Sequence, residues 1–432
     1  MSAPTAASPR SVAIIGGGPA GLILALTLKQ QGINATVFEL RQADYKVGGA
    51  IGVAPNGLRI LDQLGVFQRV RTKGCYFDVM TFKSDQGFQT TGTQLFGGGG
   101  KYGYQTVIIS RYGLLVELRA AAQEQGIPVE MGRRFVGVVS EDENGVRFAF
   151  EDGSQEVADI LVGADGMNSL VRQSIFPDIK PLYSGFIGGT FGVDWGRLRF
   201  PPGQEVPSPT ALTIHGSKGA MMFAPRPFSH TNALVIRQVR YPEQDRDGWE
   251  ALQQKRDELV GLLQSDMDDW SDVSRSALEQ LSHPEIADLN LWPFCSMQKL
   301  DSWFSPIGRI IFLGDAAHAM LPSAAQGANQ AIESAYTLAI LLSSLSAPLD
   351  LPTTLKAWQE YRQGRLDKVL EIIERLNYLR LTDTEKSQLP PEKVAQFQNA
   401  HTDIAANFNF IYSADVKDDV VREVLKGNVG TE

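Results

Sequence analysis

The chain has 432 residues, of which 43% are hydrophobic and 21% are charged, and its formal net charge is -9. This length and composition are typical of a globular protein with two or three domains, and the acidic balance argues against nucleic acid or an anionic membrane as a partner. No run of the sequence approaches the roughly 20 apolar residues of a membrane span. Two cysteines far apart in sequence, Cys75 and Cys295, predict reduced thiols in a cytoplasmic protein rather than a redox pair.

The first 40 residues predict a strand, a helix and a second strand, over 11–15, 19–31 and 34–40. Between the first strand and the helix lie Gly16, Gly18 and Gly21, with Ala20 among them. Glycines at this spacing allow a tight turn, a close approach of the backbone to a pyrophosphate, and close packing of the helix on the strand. Glu39, at the end of the second strand, can accept hydrogen bonds from the hydroxyls of an adenosine ribose. The segment therefore predicts a dinucleotide site.

Farther along the chain, helices and strands follow one another in three blocks. The pattern predicts helices at 56–64 and 111–125, a hairpin at 144–145, antiparallel strands over 209–240, a helix over 249–263 and long helices from 354. This order predicts an α/β fold, in which a Rossmann-like domain is interrupted by an antiparallel-sheet domain and followed by C-terminal helices. The predicted boundaries are 1–75, 105–180 and 295–345 for the dinucleotide-binding domain, 76–104 and 181–294 for the sheet domain, and 346–432 for the C-terminal helical region.

A second candidate site follows the apolar strand predicted at 310–313. The strand ends in Gly314 and Asp315, and a carboxylate at a strand end can accept hydrogen bonds from the hydroxyls of a ligand. The side chains that follow are small, as the space beside a wide flat ring requires: Ala316, Ala317, Ser323, Ala324 and Gly327. A helix that begins near Gln326 would direct its free N–H groups at negative charge on such a ring.

Three separated motifs resemble those of the group A flavoprotein monooxygenases, the para-hydroxybenzoate-hydroxylase-like family that includes salicylate hydroxylases and tetracycline-modifying enzymes. They are the glycine-rich loop with Glu39 and Arg41, the segment "GADGMNSLVR" with Asp165 and Gly166, and the segment "GDAAHAMLPSAAQGANQAIESA". Arg111 matches an arginine that in this family reaches the ribityl and phosphate region of the flavin. The chain departs from the usual pattern mildly, with Ala325 where the family often has glycine.

The resemblance implies bound FAD, with NADH or NADPH as a transient co-substrate and dioxygen as the oxidant. It implies a monooxygenase that acts through a flavin C4a-hydroperoxide on a small aromatic or polycyclic molecule, most simply by hydroxylation. Epoxidation or Baeyer–Villiger oxidation of a biosynthetic intermediate, as in secondary metabolism, remains an alternative. So does a flavin-containing sensor that binds a ligand without converting it. A monomer or a homodimer is expected, and the scattered histidines predict no metal site.

The residues assigned to the cofactor come from every part of the predicted dinucleotide-binding domain. They are Gly16, Gly18, Ala20, Gly21, Glu39, Leu40, Arg41, Ala50, Ile51, Arg111, Asp165, Gly166, Gly314, Asp315, Pro322, Gln326, Gly327, Ala328 and Asn329. The resemblance implies that Pro322 borders the place where oxygen reacts, so Pro322 is also a catalytic candidate. His318 matches the family pattern as well, but we expect a packed structural histidine there.

The substrate wall is expected from the strands over 209–240. We predict one face with Leu212, Ile214, Met221, Phe223, Leu234 and Ile236, and an opposite face with His215, Met222, Arg237 and Val239. Substrate contacts are predicted for Ile214, Met221 and Phe223. His215 and Arg237 are predicted as catalytic residues, because a base or a positive charge beside a phenol increases the nucleophilicity of its ring.

Overall fold

The structure of the chain, a computed structural model, describes residues 9–45, 48–206, 210–226, 229, 231–283, 289–345, 350–397 and 400–426. The outer ends of the first and last predicted domain segments, 1–8 and 427–432, lie outside the described residues, as does part of the predicted strand region at 209–240. The division of the chain into domains stays a prediction.

The strands form one parallel sheet and three further sheets. Within the described residues they are β1 (Ser11–Ile15), β2 (Asn34–Glu39), β3 (Ala50–Val53), β4 (Cys75–Phe77), β5 (Val79–Ser84), β6 (Thr90–Leu95), β7 (Thr106–Ser110), β8 (Val129–Met131), β9 (Phe135–Asp142), β10 (Gly145–Phe150), β11 (Gln155–Ala158), β12 (Ile160–Gly163), β13 (Leu182–Asp194), β14 (Leu212–Gly216), β15 (Gly219–Pro225), β16 (Asn232–Arg240), β17 (Asn290–Ser296) and β18 (Ile310–Phe312).

The helices are distributed around these sheets, and the last seven follow β18. Within the described residues they are α1 (Pro19–Gln30), α2 (Pro55–Gln63), α3 (Phe67–Lys73), α4 (Gly99–Tyr102), α5 (Arg111–Glu124), α6 (Leu170–Ile175), α7 (Arg246–Gln254), α8 (Arg256–Gln264), α9 (Asp272–Glu279), α10 (Asp315–His318), α11 (Gly327–Ser343), α12 (Leu351–Arg380), α13 (Asp383–Ser387), α14 (Pro391–Gln396), α15 (Ala400–Ser413) and α16 (Val416–Val420).

The parallel sheet has the strand order β18-β12-β1-β2-β8. Its centre is covered by α1, whose residues from Ala20 to Leu28 are all buried, because α1 lies between the sheet, α5 and α11. A helix that is apolar on all sides is stable only in such an interior position. The carboxyl ends of the parallel strands β1, β12 and β18 therefore meet at one edge, where the loops to α1, α6 and α10 lie together.

The largest sheet has seven strands in the order β17-β13-β16-β15-β14-β5-β6. Its pairs are antiparallel except that β14 and β5 run parallel. One face of this sheet packs on α7, α8 and α9 and forms a second hydrophobic core. A third core joins its other side to the second half of α12 and to α15, so the long helix α12 contacts two of the cores.

The predicted fold class is confirmed, since a parallel sheet, antiparallel sheets and C-terminal helices are all present. Most predicted element bounds differ from the observed ones by one residue, but the helix expected over 249–263 is two helices, α7 and α8, that meet at Lys255. Among the described residues, no helix has the length and apolar character to cross a membrane, and no cluster of His, Cys, Asp and Glu side chains could hold a metal ion.

Candidate functional site

The glycine-rich loop joins β1 to α1 at the carboxyl edge of the parallel sheet. Gly16 has a φ of 112°, and a Cβ there would collide with the backbone of Ala164. A Cβ on Gly21 would collide with the carbonyl oxygen of Gly16, so α1 can pack this closely only with glycine there. Ala20 is buried in the first turn of α1, whereas no atom lies within 4 Å of where a Cβ on Gly18 would stand. The loop thus leaves open space beside a helix N-terminus, where an anion is favoured.

Glu39 ends β2 with its carboxylate fixed by two backbone donors. The Gly17 N–H donates to Oε2 at 2.7 Å, and the Arg41 N–H donates to Oε1 at 2.8 Å. Each oxygen keeps a second lone pair for a ligand hydroxyl. Leu40 and Arg41 are exposed beside it, and the Arg41 guanidinium stacks on the ring of Tyr45 at 3.8 Å. The role of Glu39 in binding a ribose stays a prediction.

Asp165 and Gly166 form the turn that follows β12. Asp165 Oδ2 accepts hydrogen bonds from the N–H groups of Leu170 at 2.8 Å and Val171 at 3.3 Å, so one oxygen caps α6. The other oxygen, Oδ1, is enclosed and accepts no hydrogen bond from the described residues. Burial raises the pKa of Asp165, and the backbone donors oppose this effect. Gly166 has a φ of 82°, which turns the chain sharply after the carboxylate.

The Gly314–Asp315 turn lies next to the glycine-rich loop, because a Cβ on Gly314 would stand only 3.2 Å from the Ala20 side chain. The Asp315 carboxylate accepts no hydrogen bond from the described residues. Burial raises the pKa of Asp315, and the positive charge of Arg111 at the start of α5 opposes this. A half-buried carboxylate that has no hydrogen-bond donor of its own is suited to receive the hydroxyls of a ligand.

The turn from Pro322 to Gln326 leads into α11. The first bond of the helix runs from the Gln330 N–H to the Gln326 carbonyl at 2.8 Å, which leaves the first-turn N–H groups without a helical partner. Those N–H groups belong to Gly327, Ala328 and Asn329. Ala325 has a φ of 51°, so the alanine found here in place of the family's usual glycine adopts the left-handed conformation. The turn is therefore held in a conformation that costs about 1–2 kcal/mol.

The side chain of Asn329 attaches this turn to β3 and α2. Its Oδ1 accepts from the Ala54 N–H at 2.9 Å, and its Nδ2 donates to the carbonyls of Gly52 at 2.9 Å and Ala325 at 2.8 Å. Both N–H donors of the amide are used in this way, so a cofactor contact by Asn329 would come from its backbone. The strand β3 carries two more residues predicted to contact the cofactor, Ala50 and Ile51.

A buried ion cluster lies behind the first turns of α11. Glu333 accepts from Arg365 Nε at 2.7 Å, Arg365 Nη2 at 2.9 Å and Asn56 Nδ2 at 2.6 Å, and it also pairs with Arg362. Burial alone would raise the pKa of Glu333, but the charges of Arg365 and Arg362 lower it to about 2. Two cations and one anion leave this fully enclosed group with one excess positive charge. That charge adds to the partial positive charge of the helix N-terminus.

His318 packs against neighbouring side chains, as expected for a structural histidine. Its Nε2 lies 2.9 Å from Ser334 Oγ, and its ring lies 5.1 Å from the ring of Trp303. Burial, assisted by the charge of Arg362, lowers the pKa of His318 to about 3, so the imidazole is neutral at physiological pH. A neutral, enclosed imidazole with a hydroxyl partner is a packing element of α10 rather than a proton carrier.

A cavity lies between the seven-stranded sheet and the turn at Pro322. It is lined by Thr213, Ala220, Met222, Ile236, Gln238, Trp292, Phe294, Pro322 and Arg380. Its volume is about 60 Å³, which is room for a few water molecules. The cavity therefore joins the sheet expected to bind substrate to the turn expected to border the flavin, with one guanidinium among otherwise uncharged walls.

The two rows of side chains predicted for the strands over 209–240 are wrong in part. Met221 pairs with Arg237 and Phe223 with Val235, so these residues share a face. The predicted rows had assigned β16 to the opposite register, and a shift of one residue moves every side chain of a strand to the other face. Leu234, Ile236, Arg237 and Val239 therefore lie on the faces opposite to those predicted.

The three predicted substrate contacts do not reach the cavity. Ile214, Met221 and Phe223 are fully buried in the second core, against the helices α7 to α9. Their physical role is to seal the sheet on those helices, and the opposite face, with Met222 and Ile236, borders the cavity instead.

Arg237 does not line the cavity either, so its position gives no support to the predicted catalytic role, which stays a prediction. Arg237 is buried on the helix side of the sheet, donates to the carbonyl oxygen of Leu263 and forms an ion pair with Asp266. His215 stacks on Phe82 with ring centroids 5.7 Å apart, and it does not line the cavity. A catalytic role of His215 is therefore not supported by its position. Pro322 lines the cavity as predicted, and its role in catalysis stays a prediction.

Several residues of the site were not anticipated from the sequence. Arg362 and Arg365 have the i, i+3 spacing of a solvated pair and lie in the polar stretch "QEYRQGRLDK" of α12, so no local signal indicates their burial. Asn56 resembles a residue in the first turn of an ordinary helix. Arg380 ends α12, between 86 and 167 residues after the strand residues that line the same cavity, and no local pattern brings it there.

Comparison with known proteins gives concordant results. The family model described as "FAD binding domain" matches residues 10–372. A 3-amino-4-hydroxybenzoate 2-monooxygenase of Streptomyces platensis is 31% identical over 377 residues, which cover 83% of this chain and 85% of that protein. An FAD-dependent monooxygenase of Penicillium janthinellum is 26% identical over 388 residues, covering 83% of this chain and 74% of that protein.

A solved structure of a salicylate hydroxylase with its substrate has a similar fold. It matches with a TM-score of 0.73 at 21% identity, covering 95% of this chain and 97% of that chain. At this level of identity the likeness concerns the fold alone, and it agrees with the arrangement of a parallel sheet, a large mixed sheet and C-terminal helices described above.

Proposed function

From the finding that the chain belongs to the FAD binding domain family and is an FAD-dependent monooxygenase, we propose that it hydroxylates a single aromatic ring held in the cavity beside Pro322. NADH or NADPH is the proposed electron donor. The proposal rests on the position of the cavity, which lies between the seven-stranded sheet and the turn that leads into α11. The resemblance to the group A flavoprotein monooxygenases noted in the sequence is thereby confirmed at the level of the family.

The residues present fit FAD. The half-buried Asp315 carboxylate has no hydrogen-bond donor among the described residues, which suits the ribityl hydroxyls. The loop leaves open space beside Gly18 for a pyrophosphate, and Glu39 is fixed with lone pairs to spare. The first-turn N–H groups of α11 suit the negatively charged end of a reduced flavin ring. When bound, FAD supplies the capacity to accept hydride and to transfer an oxygen atom.

The chain itself contributes position, charge and the exclusion of water. The N-terminus of α11 and the excess positive charge of the Glu333–Arg362–Arg365 cluster stabilise negative charge at the edge of the ring. The turn at Pro322 lines the cavity, in which Met222, Trp292 and Phe294 would hold an aromatic substrate in a space with little water. In this arrangement the protein determines which atom of the substrate faces the flavin.

The size of the cavity favours a single ring over a fused polycyclic molecule. A cavity of about 60 Å³ has to expand less to admit one ring than to admit a fused polycyclic molecule, and flexible side chains such as Met222 allow small shifts. The relative from Streptomyces platensis is named for activity on a substituted hydroxybenzoate, and this supports the choice of a single-ring phenol as the proposed substrate. A cytoplasmic location and a monomeric or dimeric state stay predictions.

The proposal is tested with purified flavoprotein under ¹⁸O₂, with NADH or NADPH and a panel of single-ring phenols. We expect at least one compound to accelerate oxidation of the nicotinamide and to gain one ¹⁸O atom, detected by mass spectrometry. If polycyclic compounds alone gain oxygen, the size argument is wrong. Acceleration without incorporation of ¹⁸O by any compound would contradict oxygen transfer to this class of substrate.

The cofactor site is tested by Asp315→Ala. Loss of a charged acceptor for ligand hydroxyls, worth about 1.5–3 kcal/mol, should weaken FAD binding about 10- to 150-fold, measured by fluorescence titration of the apoprotein. Asp178→Ala, which removes an exposed carboxylate, is the matched control and should bind FAD like the parent. Equal affinities of the Asp315 variant and the parent would refute the assignment.

A further inference from the structure

The walls of the cavity contain one group that aromatic packing does not explain. Eight of the nine lining residues are uncharged, and the ninth is Arg380, the last residue of α12. The aromatic side of the cavity is formed by Trp292 and Phe294, whose ring centroids are 6.4 Å apart. A guanidinium opposite aromatic and apolar walls is typical of a site for a molecule that is flat and apolar at one end and anionic at the other.

The half-buried Arg380 has no acidic partner among the described residues, and in this it resembles the fully buried Arg172 but differs from three other buried arginines. Arg362 and Arg365 pair with Glu333, and Arg237 pairs with Asp266. The contact of Arg380 is a single hydrogen bond from Nη2 to the carbonyl oxygen of Ser323 at 3.1 Å. Burial lowers the pKa of Arg380 to about 10, with no acidic group to oppose it, and the side chain is still protonated at neutral pH.

Most of the hydrogen-bonding capacity of this guanidinium is unused. An arginine has five N–H donors in a planar fork, and the fork matches the two oxygens of a carboxylate. A half-buried cation without an anion is only partly solvated, so a ligand that brings an anion gains both the hydrogen bonds and the neutralisation of the charge.

The contact of Arg380 with Ser323 sets its position relative to the flavin turn. Ser323 follows Pro322 directly, and the Ser323 hydroxyl donates to Asn377 Oδ1, one turn before Arg380 on α12. Two side chains of α12 therefore attach the end of this helix to the turn at Pro322. A ligand group bound by Arg380 is held at a set position relative to the place where oxygen transfer is expected.

We propose that Arg380 binds the carboxylate of a single-ring aromatic acid and thereby orients the ring between Trp292, Phe294 and Pro322. The inference rests on the proposed function, since it names the substrate class of that site. Arg380 acts as a specificity-determining residue supplied by the C-terminal helix rather than by the sheet. Gln238, the one amide in the lining, lies on the sheet side of the cavity and can bond to a ring hydroxyl.

The test compares matched ligands in binding to the oxidised holoenzyme, followed by the change in flavin absorbance. Each hydroxybenzoate is paired with its neutral hydroxybenzamide. We expect the acid to bind about 10- to 150-fold more tightly than the amide, as a charged hydrogen-bonded pair implies. Arg380→Met should abolish this preference while leaving the affinity for the amide within about twofold, and Arg380→Lys should retain part of it because the charge remains.

The control is Lys180→Met, which removes an exposed cation and should leave the preference for acids unchanged. Arg380→Met should melt at the same temperature as the parent or higher, because a half-buried charge without an acidic partner is removed. Retention of the preference in Arg380→Met, or equal affinities of acids and amides in the parent, overturns the proposal. So does a panel in which no aromatic acid perturbs the flavin spectrum.

A phenolate could supply the same anionic oxygen, and one arm of the test separates the two sources. If Arg380 binds a phenolate, the affinity for phenols without a carboxylate rises as the pH approaches the pKa of the phenol, and Arg380→Met removes this rise. That result would overturn the assignment of a carboxylate ligand. Binding is measured without turnover, so its outcome is independent of ¹⁸O incorporation. Preference for acids without oxygen transfer contradicts the proposed function alone, and oxygen transfer without preference for acids contradicts only the role of Arg380.

Discussion

On one face of the seven-stranded sheet, Met221, Phe223 and Arg237 are enclosed under the helices α7 to α9, whereas on the other face Met222 and Ile236 border a cavity. The residue types on the two faces are much alike, and both faces meet an arginine. Arg237 has Asp266 as its partner, whereas Arg380 has no acidic partner among the described residues. Whether a face of the sheet becomes a hydrophobic core or borders a cavity therefore depends on the helices that pack against it, and not on the residue composition of the strands.

The largest effect is expected on the enclosed face. Phe223→Ala removes a fully buried ring next to Trp195, and the cavity left behind should lower the free energy of unfolding by about 3–5 kcal/mol. Chemical denaturation of the holoenzyme measures this loss. The substrate KM of the folded fraction should stay within about twofold of the parent. A raised KM without loss of stability would place Phe223 in the substrate site after all.

An intermediate effect is expected from the ion pair on the same face. Asp266→Ala leaves the buried Arg237 guanidinium without its anion, and the loss should be about 1–3 kcal/mol because Asp266 itself is partly exposed. Asp268→Ala, which removes an exposed carboxylate in the same turn, is the control and should unfold at the same denaturant concentration as the parent. A fall in kcat at unchanged stability would support a catalytic role of Arg237.

The smallest effect on stability is expected on the cavity side. Met222→Ala should cost about 1 kcal/mol or less, because the half-buried side chain borders open space, but it should raise the substrate KM about tenfold through the loss of apolar contact. Steady-state kinetics and denaturation of the same preparation compare the two. If Met222→Ala destabilises as much as Phe223→Ala, the distinction between the two faces fails.

Much of the geometry of the candidate cofactor site could be predicted from the sequence, because its signals are local. Gly16 and Gly21 are required by contacts within one strand–turn–helix unit, and Glu39 follows in the next strand. Asp315 was identified as a carboxylate at a strand end, and the structure places it beside the glycine-rich loop without a hydrogen-bond donor among the described residues. The turn at Ala325 shows the one departure, since alanine adopts the left-handed conformation that glycine would adopt at lower cost.

The substrate side was predicted poorly, because its determinants are not local. The alternation of side chains along β15 and β16 indicates that the sheet has two faces, but it does not indicate which face is covered by helices. The face on which Arg237 lies depends on the register between the two strands. The Glu333–Arg362–Arg365 cluster joins residues about 30 positions apart, and its members look like solvated charges until α11 and α12 pack together.

By itself, the sequence determined the fold class and the family, and it located the turns predicted to bind the flavin, because glycine spacing and strand-end carboxylates act through neighbours a few residues away. The tertiary structure alone decided which side of the seven-stranded sheet is a core and which borders a cavity. It also brought Arg380 from the end of α12 to the wall of that cavity, opposite Trp292 and Phe294. The physical reason is that burial and the pairing of charges depend on which layers pack together, and packing joins residues that no local pattern connects.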